Sequence, residues 1–82
     1  AHSLVADGSR VDGTVKNSII FRDVTIGRDA RVENCIVMQG TRVEAGAALS
    51  YVIMDKNVSI QEGRTLQGFG SYPIYIGKGS AV

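Results

Sequence analysis

The sequence of this 82-residue protein is short of the residues on which many catalytic and metal sites depend. It has one His (His2), one Cys (Cys35), one Pro and no Trp. A zinc site with three His ligands cannot form, and His2 lies too close to the terminus for us to expect a catalytic role. The lone Cys excludes an internal disulfide and suits a reducing compartment. We therefore expect a cytoplasmic chain without catalytic residues, metal site or cofactor.

Charge of one sign and long apolar segments are also lacking. Nine Lys and Arg residues face eight Asp and Glu residues, for a formal net charge of +1. This balance offers no electrostatic reason to expect nucleic acid or an anionic membrane surface as a partner. The apolar runs are too short to span a membrane, and the first residues lack the apolar core of a signal peptide. We predict neither a nucleic-acid partner nor a membrane partner.

What the chain does have is an internal repeat. Sliding the sequence against itself by seventeen positions aligns apolar residues with apolar ones and small residues with small ones. Four apolar columns result: Ile26, Val43, Ile60; Val15, Val32, Leu49, Leu66; Ile19, Ile36, Ile53; and Ile20, Val37, Met54. Within each repeat, inward positions recur about every six residues. Such short runs rich in Val and Ile indicate β-strands.

Gly, Asn and Asp recur between these columns and predict sharp corners, because they tolerate a left-handed backbone. The two corner series are Asp12, Asp29, Gly46, Gly63 and Asp23, Gly40, Asn57, Gly79. No window has a sustained helical period. Three strands and three corners per repeat predict an all-β fold, a single-stranded parallel β-helix shaped as a triangular prism of about four to five coils.

One step of the repeat has five residues and leaves two possible registers. An inward column ending in Asp55 would bury a carboxylate without a partner, which is costly. The column one residue earlier, ending in Met54, is entirely apolar and turns Asp55 outward. We predict this second register.

The repeat is interrupted near its C-terminal end. We predict one β-helix domain over residues 1–82, with an irregular loop at 66–75 that contains Phe69, Tyr72 and Tyr75. These aromatic side chains either fold back as a lid or form an interface. The first coil has no polar cap, although solenoids need caps for solubility. We therefore expect the domain to belong to, or pack against, a larger protein.

The segment from Asn17 to Ile60 carries the pattern NS-I-I, V-x-N-C-I-V-M and V-I-M-D-K-N-V-S-I. With this pattern the chain resembles the C-terminal left-handed β-helix of bacterial glucose-1-phosphate adenylyltransferase (ADP-glucose pyrophosphorylase). The ending YPIYIGKGSAV is most similar to the regulatory-type companion subunit of Gram-positive bacteria. The resemblance covers about Leu4 to Val82. It implies a left-handed coil, an N-terminal nucleotidyltransferase domain in the parent protein, and a part in making ADP-glucose for glycogen synthesis.

The resemblance also implies a role and a site. This piece would be non-catalytic, would hold an oligomer together against a catalytic subunit or its own nucleotidyltransferase domain, and would help to form an allosteric effector site. In relatives, lysines of the β-helix bind anionic sugar-phosphate effectors. One lies in a DKN motif and matches Lys56, and a second matches Lys78. Arg22, in the same column as Lys56, would extend this basic edge.

Two other interpretations stay open. Six-residue repeats also occur in acyltransferases, and an enzyme of that kind would depend on His2 as general base. Alternatively, the chain is a purely structural solenoid, in which Lys56 and Lys78 are ordinary exposed corner residues.

Overall fold

The computed structural model describes residues 3–82, which form thirteen short β-strands and no helix. In chain order the strands are β1 (Leu4–Val5), β2 (Arg10–Val11), β3 (Thr14–Lys16), β4 (Ile19–Ile20), β5 (Thr25–Ile26), β6 (Arg31–Glu33), β7 (Ile36–Val37), β8 (Arg42–Val43), β9 (Ala48–Ser50), β10 (Val52–Met54), β11 (Ser59–Ile60), β12 (Thr65–Gln67) and β13 (Ile74–Ile76). No helix in this part of the chain is long and apolar enough to cross a membrane.

Strands three apart in the chain lie side by side and form three parallel sheets. Sheet A has the order β1-β4-β7-β10-β13, sheet B has β2-β5-β8-β11, and sheet C has β3-β6-β9-β12. Each passage through sheets A, B and C is one coil, so the chain completes four coils and begins a fifth with β13. The predicted all-β parallel solenoid is confirmed.

One inward row from each sheet fills the interior. The rows are Ile20, Val37, Met54 and Ile76 in sheet A, Ile26, Val43 and Ile60 in sheet B, and Val32 and Leu49 in sheet C. Further buried residues lie at or next to the corners: Val24, Ala30, Cys35, Ala47, Val52 and Val58. None of these side chains is more than 7% exposed. Each large one contributes roughly 1.5–3 kcal/mol through its burial, and it does so by stacking on its equivalent in the next coil.

The register chosen on the cost of burying a carboxylate is confirmed. Met54 pairs with Val37 across sheet A and is buried, whereas Asp55 lies outside with 20% of its side chain exposed. Ile36 and Ile53 repeat just as regularly in the sequence, but they point away from the core, because neighbouring residues of a strand face opposite sides.

Most corners adopt the left-handed backbone that the sequence predicts. The φ angle lies between 58° and 77° at the predicted corners Asp23, Asp29, Gly40, Gly46, Asn57, Gly63 and Gly79. It is also positive, between 50° and 81°, at Gly8, Asn17, Asn34 and Tyr51, which the two corner series did not include. The prediction was wrong for Asp12, which is absent from this set within residues 3–82. Only Asp12 and Gly13 connect β2 to β3, whereas residues 27–30 connect β5 to β6. The first coil therefore turns without the pair of residues that supplies a left-handed position in later coils.

The coils are unequal at the two ends of the solenoid. The first step of the sheet A row, from Val5 to its partner Ile20, is shorter than the regular repeat by two positions. The next two steps of this row, to Val37 and to Met54, have the regular spacing. The last step, from Met54 to Ile76, is longer than the regular repeat by five positions.

The additional residues of the last step lie between β12 and β13. We predicted an irregular segment over 66–75. The irregular part is shorter, because β12 extends to Gln67 and β13 begins at Ile74. Residues 68–73 form the connection, which we call the aromatic loop. Gly68 is buried at its base, where its N–H donates to the carbonyl of Ser50 at 2.8 Å.

Buried hydroxyl groups complete the hydrogen bonding at the corners. Thr41 Oγ1 donates to the carbonyl of Asp55 at 2.9 Å and accepts the N–H of Val58 at 3.4 Å. Ser18 Oγ accepts the N–H of Cys35 at 3.0 Å. Within residues 3–82, no buried side-chain nitrogen or oxygen lacks a partner, so these polar groups are buried without a large penalty.

Candidate functional site

A column of long polar side chains follows the corner between sheets A and B. Arg22, Gln39, Lys56 and Lys78 each lie two residues after an inward residue of sheet A, so they stack in successive coils. The N–H of Gly79 donates to the carbonyl of Lys56 at 3.0 Å and joins the last two corners directly. We call these four residues the basic corner.

The two predicted lysines are direct neighbours. Paired strands lie about 4.8 Å apart, and the pairing of β10 with β13 sets Lys56 and Lys78 at this step. Arg22 lies two coils from Lys56, about 10 Å away. All three side chains are exposed. The structure therefore brings the lysines together and leaves Arg22 apart from them.

The backbone at the basic corner is rigidly determined. Asn57 and Gly79, which follow the two lysines, have φ angles of 58° and 77° and turn the chain from sheet A into sheet B. The Asn57 side chain covers the corner of the preceding coil, where a side chain at Gly40 would collide with Asn57 Oδ1. The backbone positions of Lys56 and Lys78 are thus set by the fold.

Asp55 lies beside the lysine pair and is held on both of its oxygens. The Tyr75 hydroxyl donates to Asp55 Oδ2 at 2.6 Å. The Lys56 N–H donates to Oδ1 at 2.7 Å, and Lys56 Nζ lies 3.6 Å from the same oxygen. The hydrogen bond from Tyr75, followed by that from the Lys56 amide, lowers the pKa of Asp55. The contact with Asp55 in turn raises the pKa of Tyr75.

The two ends of the basic corner differ in their surrounding charge. Arg22 lines a shallow groove together with Asp7 and Asp23, whose carboxylates counter its positive charge. Lys78 forms no ion pair with any residue in the range 3–82. Lys56 Nζ is itself 3.6 Å from Asp55, so this end has two lysines beside one carboxylate, whereas Arg22 lies beside two carboxylates.

Cys35, which aligns with Ser18 and Val52 in the repeat, packs in the core. It is 2% exposed, and its Sγ lies 3.1 Å from the carbonyl of Glu33. Burial raises the pKa of the thiol, and a thiol that stays protonated is a poor nucleophile.

The aromatic loop does not cover the core. Phe69 is 64% exposed and Tyr72 is 81% exposed. The two residues are joined by hydrogen bonds in both directions between their backbones, at 3.2 and 2.9 Å. Phe69 and Tyr72 therefore do not fold back as a lid over the core, and their side chains form part of the exposed surface.

The contact between Tyr75 and Asp55 was not predicted from the sequence. The sequence offered only the similarity of IGKGSAV at 76–82 to IGRDARV at 26–32. That similarity predicts that Ile76 is equivalent to Ile26 of sheet B, which is wrong, because the structure pairs Ile76 with Met54 in sheet A. His2, on which an acyltransferase would depend, lies outside the described residues. Within residues 3–82, no group of three His, Cys, Asp or Glu side chains is placed to hold a metal ion.

Comparisons with known proteins identify similar chains. The model of one family, described as GlmU-like, C-terminal hexapeptide, matches residues 1–69. A glucose-1-phosphate adenylyltransferase of Corynebacterium jeikeium is 37% identical over 65 residues, covering 78% of this chain and 16% of the relative. Those of Corynebacterium diphtheriae and Bradyrhizobium diazoefficiens are 42% identical over 65 residues and 39% over 62, covering 78% and 74% of this chain and 15% of each relative. The chain thus spans about one sixth of these curated relatives. No solved structure matches it significantly.

Proposed function

Because this chain belongs to the family of GlmU-like C-terminal hexapeptide domains, we propose that it is the non-catalytic regulatory and assembly domain of a glucose-1-phosphate adenylyltransferase subunit. The similarity to curated relatives of that name, over 65 residues in two of them, carries this proposal. The parent protein would make ADP-glucose from ATP and glucose 1-phosphate for glycogen synthesis, as a regulatory-type companion subunit.

The length of the relatives outside the matched part supports an assembly role. About five sixths of their length lies outside the part that matches this chain, which is ample for a nucleotidyltransferase domain. The β-helix supplies a rigid body whose neighbouring coils support each other. A body of this kind can hold a catalytic domain or a second subunit in a defined place.

The lysine pair supports a regulatory role. Two ammonium groups that start from backbones about 4.8 Å apart can contact oxygens of one phosphate group, or of two phosphates on one sugar. Lysine is a compact point charge that suits phosphate. The rigid corner lowers the cost of ordering the site. Because Lys56 and Lys78 are exposed, each contact contributes about 1 kcal/mol or less.

Assembly is tested by mixing the chain with the catalytic domain of a glucose-1-phosphate adenylyltransferase and measuring the molar mass by light scattering. We expect a complex of defined stoichiometry. The absence of a complex over the accessible concentration range would contradict the assembly role.

Regulation is tested by calorimetric titration with fructose 1,6-bisphosphate and with inorganic phosphate. We expect Lys56→Ala and Lys78→Ala each to weaken binding about fivefold, as about 1 kcal/mol requires. Arg22→Ala serves as the matched control, because it removes a cation two coils from Lys56 and is expected to change the affinity by less than about twofold. If the unaltered chain binds neither anion, the effector site is refuted and the purely structural alternative is favoured.

A further inference from the structure

The outward side of sheet A is apolar along its whole height. Its central row consists of Leu4, Ile19, Ile36, Ile53 and Tyr75, one residue from each strand. The row beside it, toward sheet B, consists of Ala6, Phe21, Met38, Asp55 and Gly77. The aromatic loop and Tyr51 flank the other side. We call these two rows with their flank the sheet A face.

The outward sides of the other two sheets are polar. In sheet B the outward row is Arg10, Thr25, Arg42 and Ser59. In sheet C the outward rows are Thr14, Arg31, Ala48, Thr65 and Lys16, Glu33, Ser50, Gln67. The same coil therefore has water-facing polar residues on two sides and apolar residues on the third. Scattered exposed apolar residues are ordinary, whereas a contiguous patch marks an interaction surface.

The exposed area of this patch is that of a protein interface. Its large side chains and their exposed fractions are Leu4 70%, Ile19 43%, Phe21 43%, Tyr51 37%, Phe69 64%, Tyr72 81% and Tyr75 61%. Since a large aromatic side chain can bury 150–250 Å², these residues together expose on the order of 800 Å². One partner of a standard interface contributes about 800 Å², and the largest patch of an ordinary monomer is about 300–600 Å².

The charge on the sheet A face is already compensated within the chain. Its one carboxylate, Asp55, is held by the Tyr75 hydroxyl and by Lys56. A partner surface therefore needs no charge opposite to it, and an uncharged apolar surface fits another of the same kind.

We infer that two copies of this chain pack sheet A face against sheet A face, with their solenoid axes antiparallel. This inference rests on the assembly role proposed above and names its partner, a second copy. Two sheets packed in this way lie about 10 Å apart, with their strands nearly aligned. An interface between identical surfaces closes on itself through a twofold axis.

The antiparallel direction follows from the two ends of the face. The aromatic loop projects at the β13 end, along the corner between sheets C and A. At the β1 end of the same corner lies a shallow depression lined by Ser3, Leu4, Asn17, Ser18 and Ile19. A twofold axis parallel to the strands places the loop of one copy over the depression of the other. A parallel arrangement, with the twofold axis along the solenoid axis, would instead place the loop of one copy over the corner between sheets A and B of the other and leave both depressions without a loop.

The antiparallel packing also determines which residues meet. Ile36 lies in the middle of the central row and faces its own equivalent in the second copy. Ile19, one coil before it, faces Ile53, one coil after it. In a parallel dimer Ile19 would face Ile19. Charged substitutions at these two positions therefore distinguish the two arrangements.

The test measures the molar mass of the whole chain by analytical ultracentrifugation at about 100 µM, since interfaces of standard size bind in the micromolar range or tighter. The unaltered chain is expected to be a dimer. Ile19→Glu alone and Ile53→Lys alone are each expected to be monomeric, because dimerisation would bury an unpaired charge. An equimolar mixture of the two variants is expected to form a heterodimer, in which Glu at 19 meets Lys at 53.

Two matched controls carry the same charges on the polar sides. Ser59→Lys on sheet B and Thr65→Glu on sheet C are both exposed positions, and both variants are expected to remain dimeric with an unchanged circular dichroism spectrum. A monomeric unaltered chain would overturn the inference, as would folded single variants that stay dimeric or a mixture that stays monomeric. If the chain is monomeric but still binds the adenylyltransferase catalytic domain, this inference fails and the proposed assembly role stands.

Discussion

The middle coils and the end coils of this solenoid use the same kinds of residues and reach different degrees of burial. In the sheet C row, Val32 and Leu49 are at most 2% exposed. Val15 and Leu66, the next members of that row on either side, are only partly buried. In sheet C, burial thus follows from having a coil on both sides and not from the residue type. Stability in such a fold comes from stacking between neighbours, and its ends are its weakest part.

The largest effect is expected where this difference in burial is tested directly. Leu49→Ala removes a side chain enclosed by coils on both sides and should lower the free energy of unfolding by about 2–5 kcal/mol. Leu66→Ala, its direct neighbour across sheet C, should cost at most about half as much, since its side chain is partly exposed. Urea denaturation of both variants measures the difference. Equal losses would show that the end coil is packed as tightly as the middle ones.

A smaller effect is expected at Tyr51, where the regular repeat meets the aromatic loop. Asn17, Asn34 and Tyr51 occupy equivalent corners with φ angles of 50°, 55° and 54°, a backbone that is costly for a bulky residue, by about 1–3 kcal/mol. The Tyr51 ring lies against Gly70 and recovers part of this cost. Tyr51→Asn should therefore raise the free energy of unfolding by about 1 kcal/mol in urea denaturation.

Tyr51→Ala is the matched control for this substitution. It loses the ring contact without gaining a residue that tolerates positive φ, so it should be no more stable than the unaltered chain. An Asn variant that is less stable than the Ala variant would contradict the explanation by backbone strain.

Deleting residues 69–73 should have a still smaller effect on stability. The deletion gives the last step the regular spacing of the middle coils and leaves Gly68 at the corner equivalent to Tyr51, where glycine fits. Because closing a loop costs only about 0.6 kcal/mol per doubling of its length, we expect thermal and urea denaturation to change by about 1 kcal/mol or less. Deleting 36–40 from a middle coil is the control and should prevent folding. A loss of several kcal/mol on deleting 69–73 would show that the loop itself stabilises the last coil.

The smallest effect concerns the hydrogen bond that joins the end coil to the middle ones. Tyr75→Phe removes the donor to Asp55 Oδ2, so the pKa of Asp55 should rise toward its ordinary value. Tyr72→Phe, which leaves this hydrogen bond intact, should not change that pKa. Nuclear magnetic resonance titration of the Asp55 carboxyl carbon measures the shift, and an unchanged pKa in Tyr75→Phe would contradict the assigned cause.

The same pair predicts the sign of two pH dependences. Because the pKa of Asp55 is lowered by folding, its contribution to stability is present above its unfolded pKa of 3.8 and is lost as the pH falls through the folded value. Because the pKa of Tyr75 is raised, its contribution is complete below its ordinary pKa of 10.0 and is lost as the pH rises through the folded value. In Tyr75→Phe the acid dependence should weaken and the alkaline dependence should disappear, because Phe has no hydroxyl to titrate.

The repeat was sufficient to predict the sheets, the inward rows and most corners, because each depends on contacts one coil away. Periodicity alone could not choose between the columns of Ile53 and Met54, which repeat equally well. The cost of burying Asp55 decided between them. The adjacency of Lys56 and Lys78 was likewise predictable, since each lies two residues after an inward position.

The remaining features depend on where the repeat fails. The corner prediction was wrong at Asp12 because the first coil lacks two residues between its second and third strands. The bond from Tyr75 to Asp55 depends on the length of the last step, which a broken repeat does not determine. The apolar sheet A face could not be predicted from the repeat, because the outward column of Ile36 and Ile53 has the same period as the inward column of Val37 and Met54. Such features belong to single coils, and a periodic pattern contains no information about them.

The unequal coil lengths affect which register the strands of successive coils adopt during folding. A chain made only of regular coils could wind one coil out of place and still align every apolar row with another. The short first step and the long last step remove this degeneracy, because a shifted chain would put the short corner or the aromatic loop inside a stack of regular coils. States with the coils out of register are therefore higher in energy than the native state, and the irregular ends favour the native register of the regular middle coils.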